Sequence, residues 1–156
     1  KDVRHVGRNA KGVIGIKLKN NDCVVSSVVL DKDSLIFLAT NDGYGKCTHS
    51  SKFKNTSRAG SGVISIKMFG RNASVIGIDK VSIDDDIILI TCKGTLVRIK
   101  VKDIPILERN TKGVRLIKLK NDEFLVGLNK VVEINQKTWL FLFYVFYTYY
   151  LLLNNI

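Results

Sequence analysis

The sequence predicts an all-β fold built from propeller-like repeats. Ile and Val total 34 of the 156 residues against 4 Ala, a balance that favours strands over helices. A motif led by arginine recurs three times, at spacings of 50 and 51 residues. Within each occurrence apolar side chains alternate with polar ones, and in the first two a glycine turn follows, Gly43 and then Gly94.

The motif opens each unit. It reads Arg8-Asn9-Ala10-Lys11-Gly12-Val13-Ile14-Gly15-Ile16-Lys17-Leu18, then Arg58-Ala59-Gly60-Ser61-Gly62-Val63-Ile64-Ser65-Ile66-Lys67-Met68, then Arg109-Asn110-Thr111-Lys112-Gly113-Val114-Arg115-Leu116-Ile117-Lys118-Leu119. Ile16 and Leu18 share one face of a strand, with Ile66 and Met68, then Ile117 and Leu119, in the same phase. Lys17, Lys67 and Lys118 take the opposite face. Arg115 breaks the pattern, because it stands where Ile14 and Ile64 stand in the other units.

A hairpin follows. Leu35–Thr40 and Tyr44–Thr48 flank Asn41-Asp42-Gly43, a turn that needs a residue with positive φ. Ile87–Thr91 and Thr95–Val101 flank Cys92-Lys93-Gly94 in the same way, and Thr40 to Thr91 and Gly43 to Gly94 are both 51 apart. Phe37 and Phe124 sit in apolar strand contexts and are expected in the core. The single proline, Pro105, falls between units, where a missing N–H costs little.

A period near 50 with about four strands per unit suits blades that stack to bury one another's faces. The units run 8–57, 58–108 and 109–137, about two and a half blades, too few to close a ring. They make one region, 1–137, followed by an apolar aromatic tail, 138–156.

Lys+Arg number 25 against 14 Asp+Glu, so the chain carries +11. Units 8–57, 58–108 and 109–137 are each positive, at +4, +2 and +4, so a stacked array presents a basic stripe suited to a polyanion. Nucleic acid is the first expectation and an anionic membrane surface the second. No C2H2 pattern, groove-reading helix or RNP aromatics are present, so contacts are expected to the DNA backbone, with preference arising only from bendability. The candidate phosphate contacts are Arg8, Lys11, Lys46, Arg58, Arg71, Arg98, Arg109 and Lys112, at unit openings or after hairpin glycines. A structural alternative accompanies them: the repeated arginines tie loops by donating to carbonyls, and the lysines are a solvated face.

Other chemistry has little support. Cys23, Cys47 and Cys92 include no C-x-x-C, and only His5 and His49 are available beside them, so neither zinc nor a disulfide framework is expected. Reduced, mostly buried thiols in a cytoplasmic protein are the expectation. Asp84-Asp85-Asp86 reads as a solvated turn, and His49 beside Ser50-Ser51 is no triad. Lys1 to Arg8 lacks the apolar run of a signal peptide, and a first residue other than Met suggests a piece of a longer chain.

The succession Gly7-Arg8-Asn9-Ala10-Lys11-Gly12-Val13-Ile14-Gly15-Ile16, Asn41-Asp42-Gly43-Tyr44-Gly45-Lys46-Cys47-Thr48 and Ser57-Arg58-Ala59-Gly60-Ser61-Gly62-Val63-Ile64 resembles the C-terminal domain of the DNA gyrase A protein. Gly94-Thr95-Leu96-Val97-Arg98, Arg109-Asn110-Thr111-Lys112-Gly113-Val114 and Val126-Gly127-Leu128 continue the resemblance over about residues 1–133. It implies a β-pinwheel, a propeller-like ring whose blades exchange strands and whose basic rim wraps double-stranded DNA. It further implies ATP-dependent negative supercoiling by a parent A2B2 gyrase. Its partners would be the gyrase B protein and the N-terminal part of gyrase A, with ATP and Mg on other domains. This segment then has no catalytic residues and no cofactor of its own.

Two departures stand out. The family's Gln-led glycine-rich box is absent, the sole glutamine being Gln136, which leaves a topoisomerase IV-type domain as an alternative. The tail holds Trp139, Phe141, Phe143, Tyr144, Phe146, Tyr147, Tyr149 and Tyr150, where the family often ends acidic or polar. Thr138–Leu153 is shorter than the ~20 residues of a membrane helix, so membrane insertion ranks below an edge-covering element or a drifted reading frame. Outside the resemblance, a repeat-type protein-interaction module and a fragment unable to fold alone are the rival classes.

Overall fold

The computed structural model describes residues 3–68 and 73–131. Among them, regular structure consists of strands and two short 3-10 turns, so the fold is all-β as expected. Arg71 and the tail 138–156 lie outside the described residues.

Strand β1, Leu35–Thr40, turns back into β2, Tyr44–His49, with Leu35 opposite His49 and Ala39 opposite Gly45. The turn needs its glycine twice over. Gly43 has φ +82°, and a Cβ there would lie 2.9 Å from the Ile117 carbonyl oxygen. The Thr40 hydroxyl, bonded to the Asp42 carboxylate and to the Tyr44 carbonyl at 3.0 Å, fastens the turn from inside.

A 3-10 turn at Ser50–Lys52 leads towards β3, Val75–Val81. The same sequence of elements then returns: β4 at Asp86–Thr91, β5 at Leu96–Lys100 and a 3-10 turn at Val101–Asp103. Strand β6, Val114–Arg115, and β7, Leu125–Lys130, complete the described elements. Gly94, with φ +81°, turns β4 into β5 as Gly43 turns β1 into β2.

Two antiparallel sheets result, ordered β3-β1-β2-β6 and β5-β4-β7. They do not follow the sequence units one for one. The first sheet takes β1 and β2 from unit 8–57, β3 from 58–108 and β6 from 109–137, so strands are exchanged along the chain. All six residues of β1 are buried, as a continuous apolar run flanked on both edges would be. Between the sheets lie Leu35, Phe37, Ala39, Cys47 and Val81, against Ile87, Leu89, Val101, Ile104 and Leu125.

Several expectations need correction. The first two unit openings do not form strands: residues 13–18 make only a one-residue parallel bridge, Ile16 to Gly60, and Ile16 and Leu18 are exposed. Ile66 is buried, and Ile117 and Leu119 pack on the core, but Met68 is exposed. Alternation fixes which side chains share a face, whereas a strand forms only where a neighbouring edge satisfies its backbone. The third opening has such an edge in β2, and it alone becomes a strand, β6, among the described residues. Phe37 is fully buried, but Phe124 is half exposed. Its backbone exchanges hydrogen bonds with Cys92, and the next residue, Leu125, enters the core instead. Of the thiols only Cys47 is buried; Cys23 and Cys92 are exposed.

Candidate nucleic-acid interface

The basic turns are joined in series. Gly60 accepts the Lys17 N–H at 2.8 Å, and Thr111, its counterpart one unit later, accepts the Lys67 N–H at 2.9 Å. Ala59 donates to the Gly15 carbonyl at 2.8 Å, and the Arg109 guanidinium donates to the Ile64 carbonyl. The turns bearing Arg58 and Arg109 therefore each dock on the opening of the preceding unit. Arg8, Lys11 and Arg58 are exposed on these openings. Arg109 is half-buried and does what the structural alternative described, tying one loop to the next.

Strand β2 organises the third turn. Its outer edge bonds first to residues 105–107: Cys47 N–H donates to the Pro105 carbonyl at 3.3 Å, Leu107 N–H to the Cys47 carbonyl at 2.8 Å, and the Thr48 hydroxyl to the Leu107 carbonyl at 2.9 Å. It then pairs with β6, Gly45 opposite Val114 and Tyr44 opposite Arg115. Gly113 has φ +84°, and its α-carbon packs against the Gly45 carbonyl so closely that no Cβ fits.

Lys46 is a correction. It is fully buried, so it is not placed to meet phosphate. Its Nζ donates to the Glu108 carbonyl at 2.7 Å, the Arg109 carbonyl, and the Thr111 carbonyl and hydroxyl at 3.2 and 3.0 Å. These acceptors replace the water lost on burial, and the ammonium pins the turn to β2. Burial, with the Arg109 charge nearby, brings its pKa down to about 8.

Arg98 is exposed, but its guanidinium meets the Asp86 carboxylate at 2.6 Å across the β4–β5 pair, so its charge is matched within the fold. Lys112, at the end of the pinned turn, sets its ammonium 4.0 Å from the centre of the Tyr44 ring. Arg115 lies 5.7 Å from the same centre and donates to the Tyr44 hydroxyl at 3.2 Å. Hydrogen bonds from Arg115 and then Lys112 draw the Tyr44 hydroxyl below its ordinary pKa.

Tyr44 and Arg115 were not among the candidates drawn from the sequence. The available signal was the break in phase at Arg115. Ile14 and Ile64, its counterparts, are exposed, as is Arg115, so the arginine adds a surface cation at no cost in burial. Asp85 and Asp86 have local roles: Asp85 accepts the Ser82 N–H and lies 3.4 Å from Lys130, while Asp86 pairs with Arg98. Among the described residues no group of three His, Cys, Asp or Glu side chains is placed to hold a metal ion. No helix among them is long and apolar enough to cross a membrane.

The family model of the DNA gyrase C-terminal domain, beta-propeller, matches residues 1–31, 34–82 and 85–131. The DNA gyrase A protein of Salmonella typhimurium is 47% identical over 131 residues, which cover 84% of this chain and 15% of that protein. The solved C-terminal domain of DNA topoisomerase IV superposes with a TM-score of 0.75 at 30% identity, covering 83% of this chain and 41% of the other. A DNA gyrase A C-terminal domain superposes with a TM-score of 0.74 at 28% identity, covering 85% and 45%. The chain thus spans a small part of its curated relatives. With its exchanged strands and recurring turns, it belongs to the family of the DNA gyrase C-terminal, beta-propeller domain.

Proposed function

We propose that this chain binds duplex DNA without sequence preference and wraps it along its basic turns, supporting ATP-dependent negative supercoiling by a parent DNA gyrase. The observation that supports this reading is the recurring bond that joins successive openings, Lys17 to Gly60 and Lys67 to Thr111, each opening bearing basic side chains. Duplex DNA presents one charge per about 1.7 Å of axis, so a row of cations gains affinity by releasing counterions. Arg8, Lys11, Arg58 and Lys112 are the phosphate contacts that fit this reading, joined by Arg71 from the sequence alone; Arg109 contributes charge from its tie to Ile64. Arg98 is a weak contact because Asp86 holds it.

In the parent enzyme the partners are the gyrase B protein and the N-terminal part of gyrase A in an A2B2 complex, in the cytoplasm. ATP and Mg belong to those other domains. A topoisomerase IV-type assignment has the structural likeness at 30% identity in its favour; the gyrase assignment is preferred because the curated relatives at 47 and 48% identity are gyrase A proteins. Ligation of nicked plasmid with the full chain present tests wrapping. A shifted linking number is expected, and an unchanged distribution at saturating protein would refute it.

A further inference from the structure

The cluster around Tyr44 has properties that the row of turns does not require. Strand register, not a flexible loop, brings Arg115 to Tyr44, since the two are directly opposite in the β2–β6 pair. Lys112 reaches the same ring from the preceding turn, which Lys46 holds through three carbonyls. The group that the two cations share is the phenol of Tyr44. The nearest acid in sequence on β2's side, Asp42, directs its carboxylate to the Thr40 hydroxyl, and Glu108 pairs with Lys52 at 2.6 Å. Two cations thus meet at one tyrosine, Lys112 against its ring and Arg115 at its hydroxyl.

We propose that Lys112 and Arg115, arranged around the ring of Tyr44, form a seat for one phosphate of a duplex DNA backbone. The proposal rests on the DNA-binding reading above and specifies a contact within it. Arginine suits the role because its planar fork binds one phosphate through several N–H groups while one Nη stays on the Tyr44 hydroxyl. Pre-positioning by the ring and by β6 lowers the ordering cost that a loose surface arginine would incur on binding. Units 8–57 and 58–108 carry isoleucine at this phase, so the seat is specific to the third opening.

The test is fluorescence anisotropy of a labelled linear duplex titrated with the full chain across a salt series. The variants are Arg115→Ile, which restores the residue of the other two units, and Arg115→Gln, which keeps length and polarity. Loss of one phosphate contact is expected to lower the magnitude of the log K against log salt slope by about 1 and to weaken low-salt binding by roughly five- to tenfold. Tyr44→Phe, which keeps the ring and removes the acceptor, is expected to weaken binding by about two- to threefold. Far-ultraviolet circular dichroism shows whether each variant is folded, and Arg115→Gln decides the matter if Arg115→Ile is not. Folded variants with the wild-type slope and affinity would overturn the seat while leaving the DNA reading intact. Failure of the wild-type chain to bind duplex at low salt would overturn both.

Discussion

The ammonium of Lys46 donates to the carbonyl of Glu108 at 2.7 Å, joining residues 62 positions apart inside the fold. Through this bond and its companions on Arg109 and Thr111, strand β2 holds the turn from which Lys112 projects. A lysine expected at the surface is therefore part of the support beneath it. Lys46→Met leaves these carbonyls without their donor, and a loss of about 2–4 kcal/mol is expected from urea unfolding.

The same residue gives stability a pH dependence. Its pKa falls from the ordinary 10.5 to about 8 on folding, chiefly through burial. Between those values the unfolded chain binds the proton that folded Lys46 has lost, so this group makes stability rise with pH. Below about pH 8 the cost of burying the charge is present in full. Urea midpoints measured from pH 7.5 to 9, below the range in which the raised Cys47 thiol opposes the trend, are expected to show that rise in the wild type, and Lys46→Met is expected to lack this component.

Glycine substitutions separate the openings. Gly12 has φ +79° with no atom within 4 Å of a built Cβ, so Gly12→Ala incurs backbone strain of about 1 kcal/mol. Gly113 has the same backbone but lies against the Gly45 carbonyl. Gly113→Ala is expected to displace β6, cost clearly more in thermal unfolding, and weaken duplex binding along with Arg115.

Much of this architecture was legible in the sequence, because its signals are local. Positive φ at Gly43 and Gly94 follows from the hairpin sequences, and the burial of Phe37 follows from an uninterrupted apolar run. Contacts between distant residues were not legible. Nothing beside Lys46 announces that its acceptors lie beyond residue 107, or that Tyr44 meets Arg115 across 71 positions. Nor does alternation in Ile14, Ile16 and Leu18 reveal whether a partner edge is present, which is why those residues read as strand yet lie exposed.

Thiol chemistry offers an independent check on the core. Burial pushes the Cys47 thiol up to about 12, whereas Cys23 and Cys92 are exposed. A chromogenic disulfide reagent at pH 8 is expected to titrate two thiols rapidly and the third only on denaturation. Three rapid equivalents would contradict the placement of Cys47.

The candidate contacts should differ from one another. Arg58→Ala is expected to lower the magnitude of the salt slope by about 1, as a phosphate contact would. Arg98→Ala removes a cation already matched by Asp86, and duplex affinity is expected to change by less than about twofold.

The most direct measurement is the slope of log K against log salt for the full chain on a linear duplex of arbitrary sequence. With four or five backbone contacts in play, a slope of about −4 is expected, unchanged when the sequence is scrambled. A slope near zero, or no retention of the duplex at low salt, would contradict a basic row that meets DNA.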